Sequence, residues 1–190
     1  MNLYDAFEAS TKSTRDFVSA INQAQLGLPT PCTAWDVRKL LNHLLGTLSL
    51  GAALLSSTAP DVAMEPGGLP AADLVGDDPL MAYDRGAQKL LDTAQRTGML
   101  DGTRQTPFGE MPVAMLAGFT TLDIAVHGWD LAKAAGQSAI LDDSLAGHVL
   151  EFARMAVTPD TRPPLIGPEI PAASGASLTA QLVAFMGRQP

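Results

Sequence analysis

Asp123-Ile-Ala-Val-His127 places a carboxylate and an imidazole one helical turn apart, inside the apolar run Leu122-Asp-Ile-Ala-Val-His-Gly-Trp-Asp-Leu131. At 3.6 residues per turn, positions i and i+4 stand one above the other, so both side chains can grip one ion. The chain has only three histidines, and a second, His43, lies in another helical segment, Trp35-Asp-Val-Arg-Lys-Leu-Leu-Asn-His-Leu-Leu45. Two such helices packed together can present two imidazoles and one carboxylate to a metal and leave a coordination position open. Those donors suit Zn²⁺ first, and Ni²⁺, Fe²⁺ or Mn²⁺ as well. Three protein ligands are the pattern of catalytic rather than structural zinc. The spacing of Asp123 and His127 suits a plain hydrogen-bonded pair at a helix edge equally well, and His43 alone suits a satisfied histidine at the edge of a core.

Position on the helical wheel bears on that choice. Val37, Leu41, Leu44 and Leu48 share one face of the second helix, and His43 falls roughly 120° from its centre, beside Asp36 and Thr47. Met115, Phe119, Leu122, Val126 and Trp129 form the apolar centre expected for the fourth helix, with Asp123 and His127 about 70–110° away. Both sets sit at the margin of a buried face, where ligands between helices are shielded yet reachable. Asp130 either orients an imidazole from outside the ligand set or is a solvated or capping carboxylate. His148 reads as a core-edge residue of the fifth helix, and Trp35 and Trp129 as core anchors. No catalytic signature surrounds Cys32, which reads as a small buried residue; a cysteine-nucleophile enzyme is the lesser alternative.

The elements that must position these residues are nearly all helical. Apolar spacing predicts a first helix over 3–21, a second ending near Ser56, a third over 79–97, a fourth over 111–135 stopped by Gly136, a fifth over 144–156, and a short last helix from Ser177. Thr33-Ala-Trp-Asp36 reads as a capping box for the second helix, with Thr33 as the cap. Pro112 suits the first turn of the fourth helix. Residues 60–78, with Pro66-Gly-Gly68 in the middle, are long for a connection and read as a crossover between helices that are not adjacent antiparallel neighbours. Residues 159–176 form a proline-rich strap, and a hairpin around 103–109 is the only strand signal.

Length and composition narrow the partners. At 190 residues the simplest organisation is one domain, 1–190. A net charge of −8 with twelve Lys and Arg argues against nucleic acid as a partner. No stretch is basic and amphipathic or apolar for long enough to suggest a membrane. The first eight residues are acidic where a signal peptide would be basic, and a single cysteine fits a reducing compartment. The expected setting is cytoplasmic, as a monomer or homodimer.

Four stretches resemble the DinB-like metal-binding helical-bundle superfamily, in the branch that contains the metal-binding domain of mycothiol-dependent maleylpyruvate isomerase. They are Thr30-Pro-Cys-Thr-Ala-Trp-Asp-Val-Arg-Lys-Leu-Leu-Asn-His43, Phe108-Gly-Glu-Met-Pro112, Leu122-Asp-Ile-Ala-Val-His-Gly-Trp-Asp-Leu131 and Leu182-Val-Ala-Phe-Met-Gly-Arg188. They come in the family's order and span most of the chain. The resemblance implies an all-α fold: a DinB/YfiT-like four-helix bundle with a long crossover loop and extra C-terminal helices. It puts the metal triad on His43, Asp123 and His127. The isomerase looks to carry Glu where this chain has Asp123, and to have a further C-terminal domain, so the resemblance implies fold and metal more directly than that reaction. The function it implies is a divalent-metal protein, with zinc as the metal and mycothiol as cosubstrate, acting as a transferase or isomerase on an electrophilic small molecule. The alternative is a non-catalytic, stress-associated metal-binding bundle that contacts another protein. Solvent is expected to reach the site near Thr30 to Thr33 and Gln105 to Glu110.

Overall fold

The computed structural model describes every residue except Thr97, Met99, Pro107, Phe108, Thr161, Pro163, Pro164 and Leu165. Among the described residues the elements are α1 (Leu3–Ser19), α2 (Val37–Ser56), α3 (Pro79–Ala94), β1 (Thr103–Thr106), β2 (Gly109–Pro112), α4 (Val113–Ala134), α5 (Asp143–Ala156) and α6 (Leu178–Phe185), with one 3₁₀ turn, Gln23–Gln25. The fold is an all-α bundle with a small hairpin. Most helix starts are capped by the side chain just before them: Asn2 accepts from Asp5, Asp78 from Met81, Asp142 from Ser144 and Ser177 from Ala180.

The first four helices form the bundle, and side-chain contacts set their directions. Leu48 lies at Gly86 and Leu90 at Gly51, so α2 and α3 run parallel and side by side. Only a connection that returns the length of the bundle can join parallel neighbours, and residues 57–78 are that crossover, as the sequence predicts. Thr14 meets Ile124 and Gly128, and Phe17 meets Gln137 just past the end of α4, which sets α1 beside α4 in the same direction. His43 meets Asp123 while Gly51 meets Thr120, so α2 and α4 run antiparallel. The Arg15–Asp84 and Gln95–Tyr4 contacts do the same for α1 and α3.

Helix α4 is the axis of the molecule. Ile124 and Leu131 face the core of the bundle, where Val37, Leu40, Leu41, Leu44 and Leu48 of α2 are also buried. Leu122, Ala125 and Val126 face a second core made with α5 and α6. The single apolar face expected for this helix is therefore replaced by burial nearly all round from Thr121 to Ala132. Phe119, placed at the centre of that face by the sequence, is 39% exposed and packs edge-on against Phe152. A helix buried between two layers has no single apolar stripe for the pattern to reveal.

Two starts differ from expectation. Asp36, not Thr33, caps α2 by accepting from the Lys39 N–H at 2.8 Å. Residues 30–36 are held as a turn instead: the Thr30 hydroxyl is shared between the Cys32 and Trp35 carbonyls, and the Trp35 N–H donates to Cys32. Trp35 is thereby left outside the helix. Pro112 ends β2 and precedes α4, rather than sitting in its first turn, because β2 pairs with β1 as far as Thr103↔Pro112. The fourth helix does end at Gly136, whose φ of +70° takes the chain out of the helix. Among the described residues no helix is long and apolar enough to cross a membrane.

Candidate metal centre

His43, Asp123 and His127 converge where α2 crosses α4, each offering one ligand atom within 4.8 Å of the others. His43 Nε2 lies 3.2 and 3.1 Å from the two Asp123 oxygens, and His127 Nε2 lies 3.5 Å from Oδ1. The two imidazole rings meet edge to face with centroids 4.9 Å apart. Two donors each about 2.0–2.2 Å from one tetrahedral ion are themselves separated by roughly 3.3–3.5 Å, close to these spacings.

The surrounding groups set which ring nitrogen faces inward. His43 Nδ1 contacts the Gly68 carbonyl, and His127 Nδ1 lies 2.9 Å from Asp130 Oδ2. A neutral imidazole carries one N–H, so with each Nδ1–H donated outward, both Nε2 lone pairs point toward Asp123. A lone pair facing a carboxylate is repulsive unless a cation, proton or metal, stands between them. The donor set therefore fits a divalent cation: two outward-anchored imidazoles and one carboxylate, each oriented from outside. Thr47 completes this shell by donating to Asp123 Oδ2 at 2.7 Å.

The charges follow from the same contacts. Burial favours the neutral acid of Asp123, but the two histidines and the hydrogen bonds from His43 and Thr47 outweigh it and hold the carboxyl well below the usual range. Burial disfavours a charged His43, yet the Asp123 charge and hydrogen bond and the Gly68 carbonyl outweigh it and raise its pKa. Asp130 is held low in the same way, by His127 and Arg188 against its own burial.

The crossover supplies more of the site than its sequence suggested. The turn around Pro66-Gly-Gly68 has Gly67 and Gly68 at φ +104° and +85°, a conformation suited to glycine, and it delivers the Gly68 carbonyl to His43. A Cβ at Gly68 would stand 3.4 Å from the His43 ring and 3.7 Å from Trp35. Asn42, next to His43, anchors the loop by donating to Ala72 at 3.1 Å and accepting from Leu74 at 2.7 Å.

Other residues singled out in the sequence have clear places. Trp35 packs against the bundle core, as expected, and also lies beside both imidazoles, 4.7 Å from His43 and 6.1 Å from His127 between ring centroids. Trp129 is buried, as expected. Asp130 has no exposed surface and receives both His127 and Arg188, so it is no solvated carboxylate. His148 lies on α5, outside the cluster. Burial pushes the Cys32 thiol pKa up, with Arg188 pulling against it, which leaves a protonated and poorly nucleophilic sulfur.

Of the two stretches expected at the route to solvent, the one in the hairpin lies elsewhere. The hairpin sits at the far end of α2, where Arg104 donates to the Leu55 carbonyl at 2.8 Å. Leu55 is twelve residues from His43, roughly 18 Å along a helix. Gln105, Thr106, Gly109 and Glu110 therefore do not border the centre; Pro107 and Phe108 of the same stretch lie outside the described residues. The opening is at Asp123, whose side chain keeps 29% of its surface against 12% for His43 and 11% for His127.

A family model described as the mycothiol maleylpyruvate isomerase N-terminal domain matches residues 7–132. Two curated proteins of Mycobacterium tuberculosis, "Uncharacterized protein Rv0738" of strain ATCC 25618 / H37Rv and "Uncharacterized protein MT0763" of strain CDC 1551 / Oshkosh, are each 33% identical over 187 residues, covering 97% of this chain and 92% of theirs. Two crystal structures of the mycothiol-dependent maleylpyruvate isomerase, one of them a mutant, superpose with TM-scores of 0.60 and 0.57 over 80% of this chain and 68% of theirs. At 12% identity that likeness is one of fold alone. The matched stretch runs through all three residues of the cluster, and the chain belongs to the family of the mycothiol maleylpyruvate isomerase N-terminal domain.

Proposed function

We propose that His43, Asp123 and His127 hold a divalent cation, with zinc as the metal, and that the protein is a small-thiol-dependent transferase or isomerase with mycothiol as its cosubstrate. The observation that carries this reading is the pair of imidazoles whose Nδ1 atoms are engaged outside the cluster while their Nε2 atoms face one half-exposed carboxylate. The thiol comes from the relatives: the fold neighbours are structures of a mycothiol-dependent isomerase, and the matching family is that of the mycothiol maleylpyruvate isomerase N-terminal domain. A divalent cation at this centre supplies Lewis acidity that favours the thiolate of a bound thiol near neutral pH. This chain's own residues orient and shield. Trp35 covers one side of the imidazoles, the Gly68 turn closes another, and Thr47 fixes one Asp123 oxygen, leaving the Asp123 side for an incoming group.

Metal analysis of protein purified without chelator or added metal tests the first half. About one divalent ion per chain is expected. Release should track protonation of imidazole rather than carboxylate, because His43 is raised and Asp123 lowered in the metal-free protein. A raised histidine stabilises the metal-free fold below the unfolded histidine value near 6.5 and loses that contribution as pH rises through the folded value. The chelated protein should therefore melt higher at pH 6 than at pH 8, and the metal-loaded protein the reverse. A chelated protein more stable at pH 8 contradicts this.

A Co²⁺-substituted sample tests the second half. A low-molecular-weight thiol should change its visible spectrum as sulfur replaces an oxygen or nitrogen donor, and the change should vanish in His43→Ala. If no thiol alters the spectrum, the metal is structural, and the non-catalytic bundle becomes the better account.

A further inference from the structure

Arg188 lies beyond the stretch that the family model matches, yet it reaches the metal centre through one intermediary. Asp130 has no exposed surface, and a buried carboxylate needs partners on both oxygens. Arg188 answers both with a fork: Nε donates to Oδ1 at 3.2 Å and Nη2 to Oδ2 at 2.9 Å. The same Oδ2 receives His127 Nδ1 at 2.9 Å. Nη1 donates to the Met186 carbonyl at 2.8 Å, so the guanidinium is held to its own helix end as well.

Local structure explains how a residue beyond the end of α6 reaches the interior. Helix α6 closes with the paired bonds of a Schellman motif: the Gly187 N–H goes to Ala184 at 3.0 Å and the Arg188 N–H to Val183 at 2.8 Å. Gly187 takes the φ of +81° that this motif requires, and a Cβ there would stand 3.0 Å from the Gly167 backbone. The proline-rich strap braces the turn from outside, with Arg162 Nη1 donating to the Gly167 and Phe185 carbonyls. Arg188 is thus aimed inward by backbone geometry.

We propose that Arg188 is a positioning residue of the metal centre: by clamping Asp130 in one orientation it holds the His127 proton on Nδ1 and keeps Nε2 turned toward Asp123 and His43. This rests on the metal reading above. Without the fork, Asp130 is free to turn about its side-chain torsions, His127 loses its fixed acceptor, and its ring can flip or exchange tautomers. Lysine in place of Arg188 keeps the charge but cannot span both oxygens in one plane.

The test compares Zn²⁺ affinity, by chelator competition, in the full-length parent, Arg188→Met, Arg188→Lys, Asp130→Asn and the Arg188→Met/Asp130→Asn double variant. Arg188→Met should bind Zn²⁺ on the order of 10–100-fold more weakly. Arg188→Lys should recover part of the loss. The double variant should be no worse than Asp130→Asn, since both act through one contact. A second readout needs no metal: ¹⁵N shifts of His127 in chelated protein should report one Nδ1–H tautomer in the parent and a mixture in Arg188→Met. Parent-like affinity and tautomer in Arg188→Met overturn the proposal, as do additive losses in the double variant. If Arg188→Met does not fold, by circular dichroism, Arg188→Lys decides, and parent-like affinity there overturns it. A parent chain that takes up no metal sinks the metal function, while the tautomer comparison still decides what Arg188 does.

Discussion

His127→Ala, purified beside the parent chain without chelator or added metal, is expected to retain little of its divalent metal, while His148→Ala keeps the full amount. Removing a partner outside the ligand set typically weakens a metal site 10–100-fold; removing one of only three protein ligands should exceed that, on the order of a hundredfold or more. The fold should survive, because Asp130, the buried group that loses its His127 contact, keeps its two bonds to Arg188. The variant separates the metal reading from the plain hydrogen-bonded pair. A metal present at 100 times its Kd stabilises the folded state by about 2.7 kcal/mol. Added Zn²⁺ should therefore raise the melting temperature of the parent and of His148→Ala, and leave His127→Ala unmoved. Equal metal content in the two variants would show that the triad is misassigned.

Gly128→Ala is expected to destabilise the protein by about 3 kcal/mol, although alanine is the better helix former. Glycine in a helix interior costs about 1 kcal/mol relative to alanine, so an open site would be improved by the change. This site is closed: a Cβ at Gly128 would lie 2.2 Å from the Thr14 Oγ1 and about 3 Å from the rest of that side chain. Thr14 cannot simply swing away, because it is fully buried and its hydroxyl donates to the Ile124 carbonyl at 3.0 Å. Overpacking costs about 1–3 kcal/mol, and a stranded buried hydrogen-bonding group about 1–3 more. Together they outweigh the helix gain. Urea unfolding of the chelated protein measures this, and an unchanged midpoint refutes it. Thr14→Ala should relieve much of the Gly128→Ala effect, a coupling expected of direct neighbours. At Gly118 a Cβ would come even closer, 2.0 Å, but to the ring of Phe152, which is only partly buried. That ring can turn aside, so Gly118→Ala should cost less.

Local periodicity determined much of this protein. The spacing of Val37, Leu41, Leu44 and Leu48 marks the buried face of α2, and all four are buried. The i,i+4 step from Asp123 to His127 puts both on one side of α4 whatever packs there, because 3.6 residues per turn leaves no alternative. The unpatterned residues around 60–78 similarly announce a crossover, and parallel α2 and α3 require one. What periodicity cannot carry is which neighbour meets which face. That depends on contacts between residues far apart in the chain, and only the tertiary structure decided them. His43 and Asp123 are 80 positions apart, and Arg188 and Asp130 are 58. Trp35 lies over the imidazoles because Asp36 starts α2 three residues later than Thr33 would have. β2 lies away from the centre because α4 begins some ten residues before Asp123. With a single buried face on α4, Asp130 reads equally as a partner of an imidazole or as a solvated carboxylate; α5 and α6 cover the opposite face, which leaves it buried against His127. Residue types and helical spacing thus put one histidine on α2 and an Asp–His pair on one side of α4. The return path of the chain decided what orients them, since an outward N–H is fixed only by the acceptor that packing brings to it.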